Sequence, residues 1–162
     1  MRYRLLGLLA SLMTLVSASP AQAGCAALSL CSCNVSTTGI AFGAYDPFTP
    51  SPVKASGSIT VECTLVVALG GTYDIALSTG SSGSYASRTL KKGGSSLFYN
   101  LYTSDPNGAV WGNGSGGTVI VTRSFSALLY INQTTSIYGT VPAGQNVPGG
   151  AYADNVVVTI TY

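Results

Sequence analysis

The chain has 162 residues with seven basic side chains, five acidic ones and no histidine. Charge this sparse and mixed excludes an electrostatic nucleic-acid footprint and solubility maintained by self-repulsion. The missing histidine removes the commonest general base and the commonest metal ligand.

The N-terminus reads as an export signal. Arg2 and Arg4 form a charged start, residues 5–16 are a short apolar stretch, and Ala21-Gln22-Ala23 has the small-x-small pattern of a cleavage site. Cleavage after Ala23 makes residues 1–23 the signal peptide and residues 24–162 a single mature domain, large enough to bury a core. The apolar stretch is shorter than the roughly 20 residues a spanning helix needs. Later apolar runs are broken by Gly, Ser or Thr, so no membrane span is expected. Lipid attachment at Cys25 would want an aliphatic residue three places earlier, where Gln22 stands. Without Arg2 and Arg4, five basic residues (Lys54, Arg88, Lys91, Lys92, Arg123) balance five acids (Asp46, Glu62, Asp74, Asp105, Asp154).

Cys25, Cys31, Cys33 and Cys63 all follow the leader. An even count in an exported chain reads as two disulfides. A Cys31–Cys33 bridge would span one residue and strain its geometry. That leaves Cys25–Cys31 with Cys33–Cys63, or Cys25–Cys33 with Cys31–Cys63. The first is favoured, because it joins near neighbours and lets Cys33 staple the first strand to the second. Without histidine, and with Cys31-x-Cys33 spacing, a zinc site is disfavoured.

Short strands follow in regular succession. Residues 34–42 predict a first strand closing at Gly43, and residues 44–55, with Pro47, Pro50 and Pro52, predict a loop. Residues 58–63 alternate with Ile59, Val61 and Cys63 inward; residues 73–78 alternate with Tyr73, Ile75 and Leu77 inward. Gly80 to Ser84 reads as a turn, and Lys91-Lys92 before Gly93-Gly94 as a solvated turn. Residues 97–102 form a strand with Leu97, Tyr99 and Leu101 on one face. Asp105 to Gly108 is a turn, Val110-Trp111 a short strand, and the glycine-rich run 112–117 a hairpin loop. Residues 118–131 and 136–141 are further strands, followed by a loop over 142–150. The last strand starts at Tyr152 and alternates to Tyr162. Val156, Val158, Ile160 and Tyr162 share one face; Val157, Thr159 and Thr161 share the other. No segment carries a capped 3.6-residue stripe, so the expected fold is all-β, an antiparallel sandwich or barrel. A chain that stops inside such a strand expects its pairing partner from an earlier strand or from another molecule.

The residues offer little for catalysis. No histidine is available, cysteines in disulfides leave no thiol, and the carboxylates are scattered. Asp46 is expected to cap a turn, Glu62 to lie on a solvated edge, and Asp154 to accept a backbone N–H. The run 112–117 lacks the Lys-Ser/Thr of a phosphate loop and precedes a strand. Ten tyrosines and Trp111 could form a sugar-binding platform, but alternating aromatics in a sandwich belong more often to the core. No cofactor is expected.

One ordered set of segments resembles a known family. It comprises Phe42-Gly43-Ala44-Tyr45-Asp46-Pro47, Gly57-Ser58-Ile59-Thr60-Val61-Glu62-Cys63, Tyr73-Asp74-Ile75-Ala76-Leu77-Ser78-Thr79-Gly80, Leu97-Phe98-Tyr99-Asn100-Leu101-Tyr102 and Val110-Trp111-Gly112-Asn113-Gly114. Tyr138-Gly139-Thr140-Val141-Pro142-Ala143-Gly144-Gln145 and Gly150-Ala151-Tyr152-Ala153-Asp154 complete it. The set resembles the spore coat protein U domain, a family that includes secreted pilins of the archaic (Csu-type) chaperone–usher pathway. The resemblance implies an immunoglobulin-like sandwich lacking its last strand. It implies a periplasmic chaperone, an usher and other pilin subunits as partners, through strand addition. Val156, Val158, Ile160 and Tyr162 would wall the acceptor groove, and the Tyr162 carboxylate would be anchored by chaperone basic residues. The implied function is a secreted or surface structural subunit in adhesion, biofilm or a spore coat; the alternative is a monomeric adhesin or glycan-binding module. Ala26, Leu28 and Leu30 alternate as a donor strand would, but a Cys25–Cys31 bridge would fold that segment back. The chain is therefore expected to accept a strand more readily than to donate one, as a tip or terminating subunit, or a secreted relative that does not polymerise, would.

Overall fold

The computed structural model describes residues 23–24, 31–65, 69–105, 108–127 and 129–162. Residues 1–22 of the expected signal peptide, Cys25 and its expected bridge to Cys31, and the alternating Ala26, Leu28 and Leu30 lie outside the described residues. Two antiparallel sheets face each other. The strands are β1 (Ala23–Gly24), β2 (Cys31–Thr38), β3 (Val53–Leu65), β4 (Leu69–Leu77), β5 (Arg88–Lys92), β6 (Ser95–Tyr102), β7 (Val121–Ala127), β8 (Tyr130–Val141) and β9 (Val158–Thr161). The larger sheet runs β1-β2-β3-β8-β6-β5 and the smaller β7-β4-β9. A 3-10 turn (Gly80–Ser82) joins the sheets between β4 and β5. No helix among the described residues is long and apolar enough to cross a membrane.

Alternation decides which faces meet. Ile59, Val61, Cys63 and Leu65 of β3 point inward, as do Tyr73, Ile75 and Leu77 of β4 and Leu97, Tyr99 and Leu101 of β6. Ile131, Ile137 and Val141 of β8 and Trp111 complete the core. Trp111 is fully buried and donates its indole N–H to the Ile75 carbonyl at 2.9 Å. Cys33 and Cys63 oppose each other across β2 and β3 and are bonded.

Several strand limits differ from the sequence expectation. β2 ends at Thr38, although Ile40 and Phe42 beyond it still pack on the core. β3 begins at Val53, since Pro52 stands before the ladder and removes no bond from it. Arg88 to Lys92 is a strand; only Gly93-Gly94 turns, and Lys91 donates to the Ser96 hydroxyl across that hairpin. The break expected at residues 132–135 falls instead near residue 129, so Asn132 to Thr135 lie inside β8. Of the two that point inward, Gln133 accepts from the Tyr73 hydroxyl at 2.9 Å and donates to the Ser124 carbonyl at 3.0 Å, whereas the Thr135 hydroxyl is buried with no hydrogen-bond partner among the described residues. Glu62 lies on a central strand, not an edge, and accepts from Asn132 on the outer face. The run 112–117 links isolated bridges at Val110, Trp111 and Val119 and is not a hairpin loop. Residues 152–157 form no regular strand: Ala153 bridges Lys91, and Val157 accepts from Ser78 N–H, before β9 joins β4.

Candidate functional site

The segment 149–157 ties the outer edge of β5 to β4 and closes one side of the sandwich. The other side is open among the described residues. β9 is the last strand of its sheet, with β4 as its one partner among the described residues. Between residues 37–45 and 147–158 runs an apolar groove with two chambers, of about 780 and 260 Å³, which share Ile40, Phe42, Leu90 and Asp154. Leu97 and Val141 line the larger chamber. Leu77, Leu101 and Ile137 line the smaller one. The groove is therefore lined by side chains of the main core. Phe42 meets Tyr99 edge-on at 5.7 Å, and Gly139 makes room for it: a Cβ there would stand 2.7 Å from the Phe42 ring.

Val156 and Val158 line the smaller chamber. Ile160 and Tyr162 follow on the same face, half-buried against the core, while Val157, Thr159 and Thr161 are exposed. The Tyr162 ring packs on Tyr73 at 6.0 Å, and its hydroxyl lies 4.0 Å from Cys63 Sγ. Burial raises the pKa values of Tyr162 and Tyr73, with each other's proximity adding for Tyr162 and Arg123 opposing for Tyr73.

A polar hub sits where the two chambers meet. Asp154 Oδ1 accepts from the Ser81 N–H (2.8 Å), the Ser81 hydroxyl (2.5 Å) and the Asn155 N–H (2.8 Å), and Oδ2 accepts from the Tyr99 hydroxyl (2.6 Å). Burial alone would raise the Asp154 pKa; the Ser81, Tyr99 and Asn155 donors outweigh it and hold the carboxyl below its ordinary value. Burial, with Asp154 beside it, drives the Tyr99 phenol far above its ordinary pKa. Gly80 is required here, since its φ is 64° and a Cβ would collide with the Asp154 carboxylate. Beside the hub, Arg88 is fully buried. It donates to Asn100 Oδ1 (2.7 Å), to the Ser78 carbonyl twice (2.8 and 3.0 Å) and to the Trp111 carbonyl (2.7 Å), and it stacks on Tyr85 at 5.2 Å. Burial lowers its pKa, with Tyr99, Tyr85 and Asp154 opposing.

Sequence reasoning assigned Asp154 one backbone contact and overlooked Arg88. A lone arginine between Ser87 and Thr89 carries no mark of burial. The repeated Tyr99-Asn100 polarity inside an apolar strand was the available signal.

The Spore Coat Protein U domain pattern matches residues 19–159. Protein U of Myxococcus xanthus is 35% identical over 172 residues, covering 92% of each chain. Among solved structures, the fold resembles a chain of the CsuC–CsuE chaperone–tip adhesion subunit pre-assembly complex from the archaic chaperone–usher Csu pili of Acinetobacter baumannii. The TM-score is 0.53 at 20% identity, over 82% of this chain and 40% of that one. At that identity the likeness shows the fold alone, an immunoglobulin-like antiparallel sandwich. With the pattern spanning most of the sequence and a relative at this identity, the chain belongs to the spore coat protein U domain family.

Proposed function

We propose that this chain is an exported structural subunit of a surface assembly, joined to its neighbours by strand addition into the groove between residues 37–45 and 147–158. The observation that carries this reading is an apolar groove lined by core side chains and continued by the free edge of β9. A strand entering there would add ladder bonds to an edge and place alternate side chains in the chambers. Val156, Val158, Ile160 and Tyr162 would face it, and Cys33–Cys63 would hold β2 against β3 as the groove fills. A periplasmic chaperone would occupy the groove first, an usher would exchange it for a subunit, and the product would serve adhesion, biofilm or a spore coat. The glycan-binding alternative gains nothing from Trp111, Tyr73 or Tyr99, because all three lie in the core.

A direct test fuses a twelve-residue alternating valine–threonine strand to Tyr162 through a flexible linker, beside a control whose strand has the same composition in blocks. The alternating fusion should melt higher than the chain alone and stay monomeric. Equal melting of the two fusions would overturn the reading.

A further inference from the structure

The two chambers of the groove meet at a waist made by Ile40, Phe42, Leu90 and Asp154, which line both. A strand running from one chamber into the other must pass these four side chains. Two of them are fixed from behind. Leu90 lies in β5, paired with Leu97 of β6, and Asp154 accepts four hydrogen bonds. Ile40 and Phe42 stand on a different footing. Residues 39–44 belong to no strand, and no backbone–backbone hydrogen bond ties them to another described residue. Side-chain packing holds this stretch in place.

The two side chains are not held equally. Ile40 nests against two strands: a Cβ on Gly57 of β3 would meet it at 2.9 Å, and one on Gly139 of β8 at 3.2 Å. Phe42 rests on Gly139 and on the edge of the Tyr99 ring. Its neighbour Gly43 has a φ of 71°, and a glycine crosses between positive and negative φ with no Cβ to hinder it. The stretch is anchored at both ends. Thr38 closes β2 on one side, and on the other the Tyr45 hydroxyl donates to the Pro142 carbonyl at 3.1 Å. A tethered segment with a glycine beside its bulky residue can move that residue without opening either sheet.

We propose that Phe42 is a gate in the groove: its ring fills the waist in the free chain and swings out about Gly43 when a strand is laid through both chambers. This rests on the strand-addition reading above. Until then the ring covers core side chains that the open groove would leave wet. An entering strand forfeits the Phe42–Tyr99 contact, which an apolar side chain at that point of the strand replaces and a polar one does not. The gate therefore selects strands that carry an apolar residue at the waist.

The test uses the alternating and block strands fused to Tyr162, each with Phe42 intact, with Phe42→Ala and with Phe42→Leu. The quantity read is the rise in melting temperature of the alternating fusion over the block fusion. A gate opposes the strand, so that rise should grow by at least about 2 °C in Phe42→Ala. A fixed wall predicts the opposite sign, because losing the ring would remove a contact with the strand. Phe42→Leu should fall between, and it carries the comparison if the alanine variant does not fold. Phe42→4-fluorophenylalanine adds a fluorine resonance beside the Tyr99 ring. That resonance should move to its urea-unfolded position in the alternating fusion and stay in place in the block fusion. A resonance that stays in place while the alternating fusion melts higher would overturn the gate and leave the strand-addition reading intact. So would a rise that shrinks in the Phe42 variants. Equal melting of the alternating and block fusions would overturn both.

Discussion

Arg88 makes four hydrogen bonds from a site with no solvent exposure, and no carboxylate among them. Its planar fork reaches carbonyls at the end of β4 and at Trp111, and the Asn100 side chain on β6. Arg88→Ala would strand those acceptors, and a loss of about 3–5 kcal/mol is expected in urea unfolding. Arg88→Lys should recover only part of it, since a point charge cannot replace the fork; full recovery by lysine would mean that charge alone matters there. Asp154 gives a pH signature. Its carboxyl is held below the ordinary value by donors, so its contribution is complete above the unfolded pKa of about 4 and disappears as pH falls through the folded value. Asp154→Asn should therefore lower the melting temperature at pH 7 and differ less from the parent at pH 3. A gap that stays constant between those pH values would show that the carboxylate is not the stapling species.

β9 is four residues long, yet its faces are sharply different. Ile160 pairs with Ile75 and is half-buried, while Thr159 pairs with Ala76 and is exposed. Ile160→Asp should reduce stability by several kcal/mol and abolish assembly, because an unpaired carboxylate would enter the apolar interior. Thr159→Asp should stay within about 0.5 kcal/mol of the parent. It is a better control than Thr161→Asp, which would set a second carboxylate directly opposite Asp74. Equal loss of assembly in the two variants would mean that the face assignment does not govern assembly. The alternation of Ile59-Val61-Cys63, Tyr73-Ile75-Leu77 and Leu97-Tyr99-Leu101 was legible in the sequence because burial on one face leaves a period of two. Arg88 to Lys92 was not, since two lysines on the exposed half of β5 imitate a turn. Asn132 to Thr134 were not, since their polar groups find partners on β3, β4 and β7 that no local pattern announces. The groove was half legible: the wall from Val156 onward alternates, but the opposing wall, Ile40 to Tyr45, lies beyond the end of β2 and has no ladder to set its period.

The molecule is tied unevenly. On the β5 side the sheets are joined by Arg88 to Ser78, Trp111 to Ile75, Asp154 to Ser81 and Tyr99, and the backbone of residues 153–157. Gln133 joins the middle of the larger sheet to β4 and β7; on the β2 side, Cys33–Cys63 holds β2 to β3 within one sheet, and Cys63 Sγ lies 4.0 Å from the Tyr162 hydroxyl just past β9. Opening should therefore begin at the β2–β9 side. Amide exchange makes this measurable, because fraying edges exchange through local openings while central strands wait for global unfolding. In the chain alone, residues 158–161 should exchange well before residues 59–63 of β3 and 73–77 of β4. The fused alternating strand should slow residues 158–161 toward the rate of those central strands and leave residues 88–92 little changed, since their side is already closed. The Cys33–Cys63 loop should not alter this order on reduction, only lower the whole profile by about 3–4 kcal/mol. Equal protection of β9 and β4 before any strand is supplied would show that the sandwich is complete on its own, and strand addition would lose its physical basis.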